Sequence, residues 1–378
     1  SRRLLQASPC NPRTVSPAVH AHVGRKRADT YKAPFPNAWY KLCDAEQVTD
    51  KPLQIEALGT SMVVYRGAES GQVFVLDAYC IHLGANLAAG GKVKGDCIQC
   101  PFHLWEFNGD GKVMNIPYTD RIPENAKTRS WPCVELHGMI LVYFDAEKRD
   151  PPYQPRSFEE IHDGRMVYRG RHYQDVRMHL QEFAENSVDF AHFEPLHGTF
   201  TVPFTNIPLK WVKIQHAADW IQGDADKGEG HITYFLNNAH LYLSVNGKRW
   251  NIPRTSAKAT ITFDGPGSVV SFRFEIPDVG SIIMFQTHTP IEPHPTLQTE
   301  FLWFAEPHIP RLMVKYVIDN WISQWANDIM VWENKIHLPK PHLVKGDGPF
   351  FKLRSWYNQF YSESSAKVLR CGSKELEW

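Results

Sequence analysis

Two short couplets, Cys80-Ile81-His82 and Cys100-Pro101-Phe102-His103, stand seventeen residues apart. Each offers one thiol and one imidazole, the donor set that a [2Fe–2S] centre needs when two histidines replace two cysteines on one of its irons. Cys and His are also ordinary core residues, and a Cys2His2 set can hold structural zinc. Zinc couplets usually leave about two to four residues between ligands, so the one-residue gap of Cys80-x-His82 fits zinc poorly. Gly84, Gly90, Gly91 and Gly95 let the two ligand loops turn tightly, and Pro101 stiffens the second. The couplets therefore point to two loops clasping an iron–sulfur cluster.

At Cys80, His82, Cys100 and His103 the chain resembles the Rieske proteins, whose motif is C-x-H followed by C-x2-H after a spacer of this length. The resemblance implies that the cysteines hold the buried iron and the histidines the outer one. Electron carriers of the cytochrome bc complexes add a cysteine to each loop. Ala85 and Phe102 stand at those places here, which favours the oxygenase branch. One departure is Leu104, where the family wording C-P-x-H-G-W has glycine; the ligands are unaffected, but the packing or docking of the loop is altered.

The chain has 378 residues, 43% of them apolar, enough for two domains with separate cores. Forty-one basic residues balance forty-one acidic ones, which argues against a nucleic-acid or polyanion partner. Of seven cysteines two belong to the couplets, and Cys10, Cys43, Cys97, Cys133 and Cys371 show no framework spacing, as expected in a reducing compartment. Cys97-x2-Cys100 could be a redox pair, but Cys97 reads better as a strand residue beside a ligand. No run of eighteen apolar residues occurs. Residues 1–33, with Arg2, Arg3, Arg13, Arg25, Lys26 and Arg27 among Pro and Ser, read as a flexible basic lead-in. Such a stretch is either a plain terminus or a juxtamembrane segment whose anchor was removed.

Residues 34–150 read as a small all-β domain, with strands expected at Ser61–Tyr65, Val73–Ala78, Cys97–Gln99 and Met139–Phe144. The Pro-rich run Asp150–Pro155 marks a linker, and residues 151–378 form the second domain. There Leu180, Phe183, Ser187, Val188 and Ala191 recur at helical spacing, with a stop expected near Pro195. Ala257–Phe263 alternates, Val269–Ile276, Ile282–His288 and Thr296–Phe304 continue the pattern, and a long helix runs from about Arg311 to Lys335. That makes an α+β domain whose antiparallel sheet is covered on one face by helices.

His192 and His197 stand five apart across Pro195, so a break at the proline would let His197 swing back beside His192. By itself such a pair is often structural. A third ligand can be sought on the late helix, where Asp328 shares the stripe of Val314, Ile318, Trp321, Trp325 and Trp332. A carboxylate on an apolar face is costly unless paired or bound to a cation. Asp319 projects from the opposite side and Glu333 lies off the stripe. Two His and one carboxylate form the facial triad of non-haem Fe(II) oxygenases, with positions open for O2.

With both sites present the chain resembles the Rieske non-haem iron oxygenases from about Pro36 to the end of the late helix. Asn186, Asp189, His192 and His197 match their pattern N-x2-D-x2-H-x4-H. The resemblance implies a catalytic domain of helix-grip type and a catalytic role for Asp189, bridging a cluster histidine of one subunit to His192 of another in a homotrimer. It further implies O2 as co-substrate and NAD(P)H acting through a separate reductase, consistent with the lack of a G-x-G-x-x-G after any strand; Gly228-Glu229-Gly230 reads as a hairpin turn. His82–Leu87, Gly90-Gly91 and Pro36–Tyr40 look most like the Neverland-type cholesterol 7-desaturases, with the 3-ketosteroid 9α-hydroxylase oxygenase components as close cousins. That implies a sterol-sized cavity and cholesterol as substrate. It also implies attachment to the endoplasmic reticulum, facing the cytosol, through an N-terminal anchor missing from this chain; without one, a cytoplasmic location follows. A pure electron carrier would keep the cluster and have no use for His192, His197 and Asp328.

Overall fold

The computed structural model describes residues 31–202, 207–253, 255–291 and 296–371, so most of the basic lead-in, with Cys10, lies outside the described residues. The first part is built of strands apart from a 3-10 turn at Ala45–Gln47: β1 (Ala38–Asp44), β2 (Leu53–Ala57), β3 (Thr60–Arg66), β4 (Val73–Asp77), β5 (Lys92–Lys94), β6 (Cys97–Gln99), β7 (Glu106–Phe107), β8 (Val113–Asn115), β9 (Cys133–Leu136) and β10 (Met139–Phe144). They form three antiparallel sheets, ordered β1-β10-β9, β2-β3-β4 and β5-β6-β7-β8. The last two share a core of Val63, Tyr65, Leu76, Leu87, Ile98 and Phe107 that includes both couplet cysteines.

The second part holds β11 (Val167–Arg177), β12 (Thr199–Thr201), β13 (Pro208–Gln222), β14 (Ile232–Val245), β15 (Lys248–Asn251), β16 (Ala257–Asp264), β17 (Val269–Ile276), β18 (Gly280–Pro290) and β19 (Thr296–Ala305). All nine join one antiparallel sheet, β11-β19-β18-β17-β16-β14-β13-β12, with β15 paired to β14. Gly228 takes the left-handed conformation in the β13–β14 connection, as a hairpin turn requires. Helices α1 (Glu159–His162), α2 (Leu180–Asn186), α3 (Arg311–Trp332), α4 (Phe350–Tyr357) and α5 (Ser365–Cys371) complete the chain.

The sheet is buried on two faces rather than one. Ile282 and Met284 of β18 face the core that holds Val314, Ile318 and Trp325 of α3, while Ile283 and Phe285 face Trp39, Leu141 and Tyr143 of the β1-β10-β9 sheet. Period-two alternation sends adjacent apolar residues to opposite faces, so the nearly continuous burial of β18 follows from being sandwiched. Thr289 fixes the joint by donating its hydroxyl to the carbonyl of Lys41 (2.7 Å). The Pro-rich linker is docked too, since Trp39 Nε1 donates to the carbonyl of Tyr153 (2.9 Å).

The expected helix break at Pro195 falls elsewhere. Helix α2 ends at Asn186, where Ser187 turns its hydroxyl back onto the Ala184 carbonyl (2.7 Å), and a separate π-helical turn covers Phe193–His197. Pro195 sits within that turn's first residues, where a backbone N–H would have no partner in the turn, so it is tolerated rather than terminating. Two ion pairs anchor α2: Arg354 grips Glu185 through two hydrogen bonds (2.7 and 3.0 Å), and Lys335 pairs with the buried Glu182. A Cβ at Gly348 would lie 1.5 Å from the Val188 carbonyl oxygen, so only glycine lets the C-terminal segment cross this stretch.

Candidate cluster and mononuclear metal sites

The couplets sit on two loops, one after β4 and one between β6 and β7, that share a backbone pattern. Cys80 N–H donates to Ala85 and Gly84 N–H returns to Cys80 (2.8 and 2.9 Å), while Cys100 N–H donates to Trp105 and Leu104 N–H returns to Cys100 (2.8 and 3.2 Å). Gly84 and Leu104 thus hold equivalent places, and both are left-handed, at φ 75° and 61°. Leu104 accepts a conformation that costs an L-residue on the order of 1–2 kcal/mol. The cysteine thiols adjoin and are buried; burial first, and the Cys100 thiol beside it, push the Cys80 thiol up to about 11. A metal would replace that proton.

The His82 ring lies 4.6 Å from that of His103 and stacks on Trp105 at 4.6 Å and 6°, and Trp105 in turn donates Nε1 to the Tyr118 hydroxyl (2.7 Å). His82 Nδ1 is buried with no hydrogen-bond partner. A buried, unsatisfied imidazole nitrogen is expensive, and beside two thiols and a second histidine it fits an iron–sulfur centre. Cys97 lies on β6 next to the loop, in no disulfide.

Across the front of the large sheet, His192, His197 and Asp328 present one ligand atom each, all within 4.8 Å of one another. His197 Nε2 is 3.1 Å and His192 Nε2 3.9 Å from Asp328 Oδ1. His192 Nε2 and Asp328 Oδ1 are buried without hydrogen-bond partners. Burial lowers the His192 pKa below the ordinary value, keeping the imidazole neutral, the form that binds a metal. Asn327 of α3 donates to the Leu196 carbonyl (3.1 Å) and holds the histidine turn against the helix. This donor set fits a divalent iron with free positions.

Asp328 is buried with Val314, Ile318, Trp325 and Trp332, as the helical phase requires, and Trp321 is half-buried beside them. Asp319 pairs with Lys315 on the outside, and Glu333 accepts from the backbone of Arg177 (3.1 Å). Asp189 differs in detail from expectation: its backbone carbonyl is the acceptor for His192 Nδ1, while its carboxylate, partly exposed, lies 3.9 Å away. Asn186 is half-buried and lines the cavity next to the triad.

That cavity is walled by Phe183, Phe193, Phe235, Ile261, Phe272 and Trp325. A second one, lined by Ile214, Leu241, Ala257, Phe274, Tyr316 and Val317, shares His216, Asn237, Trp321 and Gln324 with it. The two make one long apolar channel ending at the triad. Its waist carries the polar groups, where His216 and Asn237 are hydrogen-bonded (3.0 Å) and burial lowers the His216 pKa to about 4. Sequence reading did not find these residues; alternation along β13 and β14 is the signal that puts His216 and Asn237 on the face of Ile214 and Leu241.

Residues 38–132 match the Rieske [2Fe-2S] domain model and residues 142–361 match that of the 3-ketosteroid 9α-hydroxylase C-terminal domain, more than half of the chain. The chain belongs to the Rieske non-haem iron oxygenases. The oxygenase is 37% identical to a cholesterol 7-desaturase of Ciona intestinalis, over 91% of its own length and 72% of the relative's. To a cholesterol 7-desaturase of Xenopus laevis it is 35% identical, over 93% and 78%. The oxygenase component of a 3-ketosteroid-9-alpha-monooxygenase from Rhodococcus rhodochrous is 31% identical, over 86% and 81%. The fold of the oxygenase is also that of dicamba monooxygenase bound to 3,6-dichlorosalicylic acid, with TM-score 0.63 at 20% identity, over 87% and 98% of the two chains.

Proposed function

We propose that this oxygenase takes cholesterol as substrate and removes two hydrogens to form 7-dehydrocholesterol. The observation that carries the reading is the apolar channel leading to His192, His197 and Asp328, in a chain whose relatives include several cholesterol 7-desaturases. A sterol is rigid, long and almost wholly apolar, and a channel walled mainly by aromatic and aliphatic side chains, with few polar ones among them, suits it. Cys80, His82, Cys100 and His103 would hold the [2Fe–2S] cluster, which would supply single electrons drawn from NAD(P)H through a separate reductase, and His192, His197 and Asp328 would hold the iron, which would supply O2 activation.

The chain's own contribution is placement and dryness. Phe193, Phe235, Phe272 and Trp325 keep water from the reacting end of the sterol. The Asp189 carbonyl fixes the ring of His192, leaving its Nε2 toward the metal position. The partly exposed Asp189 carboxylate is free to meet a cluster histidine of another subunit, which supports a closed cyclic trimer. Attachment to the endoplasmic reticulum through a preceding segment belongs to the same reading; among the described residues no helix is long and apolar enough to cross a membrane. Domain limits of 34–150 and 151–378 fit the three all-strand sheets and the nine-stranded sheet.

Incubating the reconstituted oxygenase with cholesterol, O2 and a reductase, and resolving the sterols by mass spectrometry, tests the function. A product lacking two hydrogens is expected. A product that gains one oxygen would replace desaturation by hydroxylation of the 3-ketosteroid 9α-hydroxylase kind, and unchanged sterol during NAD(P)H-dependent O2 consumption would contradict the substrate.

A further inference from the structure

The outer end of the channel lies between the β13-β14-β15 arm and the first turns of α3. On the arm, the cavity face continues outward by register: Ile214 opposes Leu241, Val212 opposes Leu243, and Leu243 opposes Trp250. At the tip the apolar residues leave the core, and Val245 and Trp250 are exposed. One turn before the channel-lining Tyr316 and Val317, Leu312 and Met313 of α3 are exposed as well.

Charge at this mouth leans positive although the chain as a whole is neutral: Glu275 of β17, between the lining Phe274 and Ile276, is paired with Lys258 (3.1 Å), Asp319 of α3 with Lys315, and Asp278 follows β17. The described residues 207–218, 230–253, 255–263 and 307–318, on the arm, β16 and α3, hold no Asp or Glu. Lys210, Lys248, Arg249 and Arg311 fall in them; Lys248 stands opposite Val245, and Lys210 shares the face of Val212 by alternation along β13. None of these four is among the ion pairs of the described residues; Arg249 stacks on Tyr242 at 3.8 Å. Exposed Trp and aliphatic side chains interleaved with unpaired cations match a lipid–water interface, apolar groups entering the acyl boundary and cations meeting anionic headgroups. An acidic protein surface would satisfy the cations but give the apolar residues no reason to surround a sterol channel.

We propose that the channel mouth docks on an anionic phospholipid surface, so that the substrate enters from the bilayer without crossing water. The proposal rests on the sterol reading for its substrate and on the arm and α3 for its surface.

Flotation of the full chain with phosphatidylcholine vesicles, with and without phosphatidylserine, tests it. Binding is expected to need phosphatidylserine and to weaken with salt. The double variant Lys210→Glu/Lys248→Glu should lose about tenfold or more in vesicle affinity, and Trp250→Ser should weaken binding with the charge intact. Both variants should turn over cyclodextrin-solubilised sterol like the parent and lose turnover of vesicle-borne sterol. Equal vesicle binding by parent and double variant overturns the proposal. So does binding abolished instead by Arg25→Gln/Lys26→Gln/Arg27→Gln in the lead-in, or a change of oligomeric state in the mouth variants with no vesicle binding by the parent. Binding is read without turnover, so a chain that binds charged vesicles and oxidises no sterol supports the surface and overturns the substrate.

Discussion

His197 Nε2 and Asp328 Oδ1 meet at 3.1 Å, joining a single π-helical turn to a 22-residue helix across the front of the large sheet. Neither element positions the site alone. Asp328→Ala is therefore expected to abolish turnover and iron binding at the triad while the visible spectrum of the cluster, built in a separate core, persists. Asp319→Ala removes only an exposed pair with Lys315, about 0.3–0.5 kcal/mol, and should leave activity near the parent's. Activity lost in Asp319→Ala and kept in Asp328→Ala would reverse the assignment.

The backbone carbonyl of Asp189, rather than its carboxylate, receives His192 Nδ1. Asp189→Asn leaves that carbonyl in place, so both metals should stay bound and the cluster should still be reducible. The defect should fall on transfer between centres, seen in stopped-flow as slow cluster reoxidation with substrate and O2 present. Reoxidation at the parent's rate would remove the carboxylate from the path.

The couplets, the phase of α3 and several strand limits were legible from sequence because each rests on local pattern: β6, β10 and β17 coincide with the expected strands, and Asp328 lies on its apolar stripe. What was not legible is tertiary. The end of α2 is decided by Ser187 and by contacts with Arg354, Lys335 and Gly348, far along the chain. The second buried face of the sheet depends on a docked strand pair from the first part, and the channel waist depends on the register of β13 against β14.

Leu104 occupies a left-handed position that Gly84 occupies in the sister loop, and its side chain is half-exposed, so little burial offsets the strain. Leu104→Gly should raise stability by up to about 1 kcal/mol after the entropy glycine adds to the unfolded chain is subtracted, read as a higher thermal midpoint. An ordinary loop leucine would give the opposite sign, and a lowered midpoint would show that the side chain contributes more than its strain.

His288 is fully buried, donating or accepting at Nδ1 with Thr299 (2.9 Å), and burial lowers its pKa from 6.5 to about 3. The unfolded chain binds this proton below pH 6.5 and the folded one does not until about 3. Stability is thus complete above pH 6.5 and falls as pH drops toward 3, by about 1.4 kcal/mol per pH unit for this one group. Denaturant titrations of His288→Gln between pH 7 and 4 should have a slope against pH shallower by that amount. Identical slopes would mean that His288 is protonated in the folded protein.

Iron content with the cluster intact tests the two-centre account most directly. About three irons per chain are predicted for the reconstituted protein, two in the cluster and one at His192, His197 and Asp328, falling to about two in Asp328→Ala with an unchanged cluster spectrum. Two irons per chain in the parent, unaltered by Asp328→Ala, would make the protein an electron carrier and contradict the account.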